Sequence, residues 1–147
     1  MAGHTGFFAS DRTFYEQLGL TTDVIVDLGA GDISGMTLSP VLYKWGTGLL
    51  ITNEGVTLAS GPNNTWVFHI SDDFTIQNDA IITLTGGAQA GNIYWITSTQ
   101  ALLGSNVNFS GNILVQTLIS ITDGTTVTGR LLSQTGVSLD ASIVTKP

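Results

Sequence analysis

The sequence predicts an all-β solenoid, a β-helix of stacked coils, with one short helix packed along its side. Three observations lead there. First, NILVQTLISITDGTTVTG (112–129) lies over RLLSQTGVSLDASIVT (130–145), one residue being deleted near Gly124. Second, earlier segments repeat that unit more loosely, at spacings of roughly 18 to 27 residues. Third, the chain is rich in Gly, Thr, Ser and Asn and only 10% charged, a composition that suits short strands joined by tight turns. A unit of this length cannot bury its apolar face alone, so such repeats stack, here as about five coils. A β-sandwich would not require one unit to copy the next.

Taken in chain order, residues 1–10 form an irregular tail. DRTFYEQLGL (11–20) carries the only helical pattern. Ser10 or Asp11 can cap its start, Phe14 and Leu18 share one face at i, i+4, and Gly19 can end it. Residues 27–147 supply the stacked coils, and the whole chain, 1–147, reads as one domain. Alternation along each strand predicts an inward column through Trp66, Phe68, Ile70, then Ile93 and Trp95, Ile113 and Val115, and Val137 and Leu139. The alignment behind it places Trp95 beside Val115. A second inward column joins Leu58, Leu84, Phe109, Val127 and Val144. All three tryptophans are expected in or near the core.

The outward positions form three arrays. Val67, Tyr94, Leu114 and Leu132 make an apolar stripe. A stripe of that size needs a cover, and the Phe14/Leu18 helix, with Phe7 and Phe8, is the obvious one. A polar, Thr-rich array runs through Thr57/Ala59, Thr83/Thr85, Asn108/Ser110, Thr126/Thr128 and Ile143/Thr145. A mixed array runs through Gly48/Leu50, Asp73/Thr75, Gln100/Leu102, Leu118/Ser120 and Gly136/Ser138. On either array, paired positions stand about 6.5–7 Å apart along a strand and strands repeat at about 4.8 Å, giving a lattice of small groups.

Composition excludes several function classes. Four basic residues stand against eleven acids, for a net charge of −7. Phosphate binding needs clustered cations, so neither nucleic acid nor an anionic membrane surface is an expected partner. No apolar run approaches the roughly 18 residues of a membrane span, no secretory signal pattern opens at Met1, and there is no cysteine. His4 and His69 lack metal-ligand spacing. Asp72 and Asp73 are adjacent, so on a strand they face opposite ways, and no repeated Asp ladder marks a calcium site. Gly29-Ala30-Gly31 and Gly86-Gly87 match no phosphate loop. No catalytic residue, metal or cofactor is predicted, and the chain is not expected to be an enzyme.

Residues 27–70 (DLGAGDISGMTLSPVLYKWGTGLLITNEGVTLASGPNNTWVFHI) resemble the microbial ice-binding proteins. So do LTGGAQAGNIYW (84–95), FSGNILVQT (109–117) and GRLLSQTGVSLDASIVTKP (129–147). The resemblance runs from about Phe14 to Pro147, and its GGAQA–N–I–aromatic–W and GRLL–QT–V–L–D–VT runs are specific. It implies a right-handed, three-faced solenoid, discontinuous in coil order, with a helix along one face. It also implies a secreted, extracellular protein that adsorbs to ice and restrains its growth or recrystallisation. The family's Thr–small–any–Thr/Asn motif is met most nearly by Thr135-Gly136-Val137-Ser138, and by Thr117-Leu118-Ile119-Ser120 with a departure at its second position.

By that analogy the ice-binding residues are Gly48, Asp73, Thr75, Gln100, Leu102, Thr117, Leu118, Ser120, Thr135, Gly136 and Ser138. The Thr-rich set, Thr57, Thr83, Thr85, Asn108, Ser110, Thr126, Thr128 and Thr145, competes with it. The family's additional N-terminal coils are not expected here, where residues 1–10 stand instead, and an open coil end invites self-association. Two other readings stay open. One is a structural subunit of a filament, coat or virion appendage, or of a cell-surface assembly. The other is an adhesion or carbohydrate-binding module, for which Tyr94 is the best aromatic.

Overall fold

A computed structural model describes residues 24–147; the tail expected at 1–10 and the helix at 11–20 lie outside the described residues. The first coil is partial. It holds β1 (Val24–Val26) and β2 (Thr37–Leu38), with a 3-10 segment at Leu28–Gly31 between them. Five complete coils follow, each of three strands. They are β3 (Leu42–Trp45), β4 (Leu49–Ile51) and β5 (Val56–Ala59); β6 (Trp66–Ile70), β7 (Phe74–Ile76) and β8 (Ile82–Thr85); β9 (Ile93–Thr97), β10 (Ala101–Leu103) and β11 (Asn108–Ser110); β12 (Asn112–Val115), β13 (Leu118–Ile121) and β14 (Thr126–Thr128); β15 (Leu131–Ser133), β16 (Gly136–Leu139) and β17 (Ile143–Thr145).

Every strand pair is parallel, and equivalent strands of successive coils pair. The first face is the six-stranded sheet β1-β3-β6-β9-β12-β15, and the second is the five-stranded sheet β4-β7-β10-β13-β16. The third face is split into β2-β5-β8 and β11-β14-β17, which meet at the bridge between Ile81 and Asn108. Among the described residues the coils stack in chain order, so the discontinuity implied by the resemblance is not seen within this stretch. Ile113 pairs with Leu131 and Leu118 with Gly136, whereas Thr126 pairs with Ile143. The 18-residue repeat and its single deletion near Gly124 are thereby reproduced.

The interior is a stack of inward columns. Tyr43, Phe68, Trp95 and Ile113 follow one another along the axis. The rings of Phe68 and Trp95 stack at 4.0 Å between centroids, and Phe74 meets Trp95 at 4.9 Å. The three tryptophans are fully buried, as expected. Each indole N–H donates to a backbone carbonyl: Trp45 to Leu28 at 2.8 Å, Trp66 to Leu38 at 3.1 Å and Trp95 to Ser110 at 3.1 Å. A buried indole without such a partner would carry a desolvation cost of about 1–3 kcal/mol.

Three details of the expected columns are corrected. Trp95 pairs with Ile113, not Val115. The two-residue slip follows from Gly111 and Asn112. At Gly111 (φ +127°) a Cβ would stand 2.5 Å from Trp95 Nε1, so only glycine lets the chain cross the indole. Asn112 Nδ2 then donates to the carbonyls of Gly91 and Ile93, both at 3.2 Å, which fixes the register. Second, the Ile81–Asn108 bridge sets Ile82, not Leu84, beside Phe109. Third, Val137 and Leu139 pair with Ile119 and Ile121 on the second face and do not continue the column of Ile113.

The outward stripe divides accordingly. Leu42, Val67, Tyr94 and Asn112 share one column, and Lys44, His69, Ile96, Leu114 and Leu132 the next. Val67 and Leu114 alternate outward yet are only 0% and 7% exposed, whereas Leu132 is 49% exposed.

Candidate functional site

The second face is continuous. Leu49, Leu50 and Ile51 pair with Phe74, Thr75 and Ile76, these with Ala101, Leu102 and Leu103, then with Ile119, Ser120 and Ile121, and finally with Val137, Ser138 and Leu139. Three consecutive positions stay in step across five strands. The middle residue of each triplet points outward, because its neighbours on the first four strands are buried in the core and the last strand pairs with them in register. Leu50, Thr75, Leu102, Ser120 and Ser138 therefore form one unbroken outward column, and the Asp32–Leu50 bridge extends it into the first coil. Two residues earlier, Leu118 pairs with Gly136. Gly48, Asp73 and Gln100 occupy the same position on their coils, since the residue after each pairs in register. The structure thus brings the whole mixed set onto one sheet, with Thr117 and Thr135 at its margin.

Hydrogen bonds tie the margin together. Thr117 N–H donates to the Thr99 carbonyl at 2.9 Å, and its Oγ1 donates to the same carbonyl at 2.7 Å. Thr135 N–H donates to the Thr117 carbonyl at 3.1 Å, and Ser133 Oγ donates to that carbonyl too. Asp73 accepts Thr99 Oγ1 at 2.6 Å and Gln100 Nε2 at 3.3 Å. At the first coil, Ser34 Oγ and N–H donate to Asp32 Oδ1 at 2.6 and 3.0 Å. The hydroxyl bond first, then the backbone bond, holds the Asp32 carboxyl below its ordinary value.

Sequence reasoning missed two residues of this margin. Thr47 and Thr99 stand one residue before Gly48 and Gln100, the position that Thr117 and Thr135 hold on later coils. Placing Thr47-Gly48-Leu49-Leu50 and Thr99-Gln100-Ala101-Leu102 over Thr117-Leu118-Ile119-Ser120 would have found both. The face also carries a notch of about 280 Å³ lined by Gly31, Gly48, Leu49, Leu50, Asp72, Asp73 and Thr75.

The Thr-rich set is not brought onto one sheet. Thr57 pairs with Thr83 and Ala59 with Thr85 on β5 and β8. Asn108, Thr126 and Ile143 form a separate column, as do Ser110, Thr128 and Thr145. The Ile81–Asn108 bridge offsets the two halves by two residues, and Ser110 is buried. Asp72 and Asp73 gather no further ligands: among the described residues no three His, Cys, Asp or Glu side chains converge on a possible metal. Tyr94, the aromatic of the carbohydrate reading, is half-buried on the first face.

The chain matches the family model described as Ice-binding-like over residues 12–145. It is 41% identical over 122 residues to an ice-binding protein of Flavobacterium frigoris (strain PS1), covering 83% of this chain and 44% of that protein. It is 31% identical over 140 residues to an ice-binding protein of Leucosporidium sp. (strain AY30), covering 95% of this chain and 53% of that one. A crystal structure of a glycosylated ice-binding protein from Arctic yeast superposes with a TM-score of 0.84 at 31% identity, over 92% of this chain and 59% of that one. An ice-binding protein domain of Shewanella frigidimarina gives 0.77 at 30% identity, over 92% and 62%. The chain spans about half the length of the curated relatives it matches.

Proposed function

We propose that this chain, which belongs to the ice-binding-like family, adsorbs to ice through the outward face of β4, β7, β10, β13 and β16 and thereby restrains ice growth or recrystallisation. The carrying observation is the unbroken register of that face, against the split of the Thr-rich one. An ordered surface is matched by groups already held at fixed spacing. Side chains fixed on a sheet lose little freedom on adsorption, a cost that otherwise reaches about 0.5–1.5 kcal/mol per mobile side chain. The protein acts outside the cell and catalyses no reaction.

The test is thermal hysteresis and recrystallisation inhibition at micromolar protein, with two variants beside the wild type. Ser120→Tyr abolishes most of the activity and Thr126→Tyr retains it, both with an unchanged melting curve. The reverse pattern moves the site to the Thr-rich face, and an inactive wild type ends the ice reading. A second reading, self-association through the final coil, draws on the exposure of Val137, Leu139, Ile143 and Val144 there. Light scattering tests it, and a monomer at high concentration refutes it.

A further inference from the structure

We propose that Asp73 is a positioning residue of this face: it fixes the side chains of Thr99 and Gln100 on the next coil instead of contacting ice itself. The inference rests on the reading that the β4–β7–β10–β13–β16 face is the adsorbing one. Asp73 stands in the outward column between Gly48 and Gln100. Toward Gly48 it borders the notch. Toward Gln100 both carboxylate oxygens are engaged, Oδ1 by Thr99 Oγ1 at 2.6 Å and Oδ2 by Gln100 Nε2 at 3.3 Å.

The backbone that carries the carboxylate is itself held. Asp73 N–H donates to Asp72 Oδ1 at 2.9 Å, the Asp73 carbonyl accepts Leu49 N–H at 2.9 Å, and the Asp72 carbonyl accepts Thr97 Oγ1. The corner of one coil is thus clamped to the next. A hydrogen bond to an ionised acceptor is about twice as strong as a neutral one, and it selects one rotamer each for a threonine and a glutamine that would otherwise sample several. Gln is among the side chains with most rotamer freedom to lose, so fixing it beforehand lowers the cost of adsorption. A charged group on an adsorbing face is also less disruptive when its oxygens are occupied by the protein.

The test compares Asp73→Ala and Asp73→Asn in the full chain, with Ser120→Tyr alongside. In Asp73→Ala the order parameter of the Gln100 side-chain amide falls below about 0.6, into the flexible range. The protein concentration needed for a given hysteresis rises roughly three- to tenfold, while the melting temperature stays within about 4 °C. Asp73→Asn keeps one carbonyl acceptor and falls between Asp73→Ala and wild type in both readouts. Full hysteresis in Asp73→Ala beside its loss in Ser120→Tyr overturns the role of Asp73 and leaves the face in place. A Gln100 amide that stays ordered in Asp73→Ala overturns it equally. Full hysteresis in both variants refutes the face, and this inference with it.

Discussion

The sharpest consequence of the continuous face concerns Gly136, in the outermost of its five strands. A Cβ built there meets no atom within 4 Å, and the backbone is outside the left-handed region. Gly136→Tyr therefore introduces no clash. Glycine inside a strand costs about 0.5–1 kcal/mol relative to alanine, and tyrosine favours strands, so folding stability should hold or rise. A change below about 1 kcal/mol moves the melting temperature by no more than about 4 °C in a chain of this size. The new ring, however, stands outward between Leu118 and solvent, above the small groups around it. It lifts Thr117, Ser120, Thr135 and Ser138 off any planar surface together. At about 0.5–1.5 kcal/mol net per hydroxyl contact, the loss is about 2–6 kcal/mol, or roughly 30-fold or more in affinity. Ser138→Ala removes a single hydroxyl and should cost only about two- to twelvefold. Thermal hysteresis across a concentration series, with circular dichroism melts as control, measures both. Equal effects of Gly136→Tyr and Ser138→Ala, or full activity in Gly136→Tyr, would refute the argument that the face works by shape.

Three further outcomes are expected. Leu114→Ala should cost about 2–5 kcal/mol, the range for a buried leucine, and Leu132→Ala clearly less, because Leu114 is 7% and Leu132 49% exposed; urea titration distinguishes them, and equal costs would contradict the burial. Gly129→Ala should lower the urea midpoint by an amount equivalent to about 1–3 kcal/mol or more, since its Cβ would fall 1.9 Å from the Gly111 carbonyl oxygen at φ +155°. Burial pushes the Tyr43 hydroxyl up to about 12 from 10.0, where the protonated hydroxyl donates to the Ser39 carbonyl. The neutral form is favoured in the fold, so this contribution is complete below pH 10 and is lost as pH rises through about 12. Tyr43→Phe should flatten that alkaline limb, and an ultraviolet titration showing Tyr43 ionising near 10 would count against it.

The legibility of the fold varies from face to face. On the second face the coils repeat without insertions inside the strands, so composition, alternation and the final 18-residue copy placed Leu50, Thr75, Leu102, Ser120 and Ser138 in one column. On the first face the alternation of Trp95 and Ile113 is equally clear, but sliding a strand by two residues preserves every inward and outward assignment. Alternation alone could therefore not choose between Ile113 and Val115 as the partner of Trp95. The choice was made by a contact distant in sequence, the closeness of Gly111 to the Trp95 indole, together with the two carbonyls that Asn112 reaches. The same limit hid the two-residue offset at Ile81–Asn108, which splits the Thr-rich face.

By itself, then, the sequence determined the class of fold, the three tryptophans as core, the repeat with its deletion, and which residues face outward. Those properties follow from local periodicity, which each strand carries in its own residues. The tertiary structure alone decided which outward residues share a surface. It joined the mixed set on one sheet, divided Thr57, Thr83 and Thr85 from Asn108, Thr126 and Thr128, and aimed the Asp73 carboxylate at Thr99. Register between coils is set where side chains of different coils meet, and no single coil contains that information.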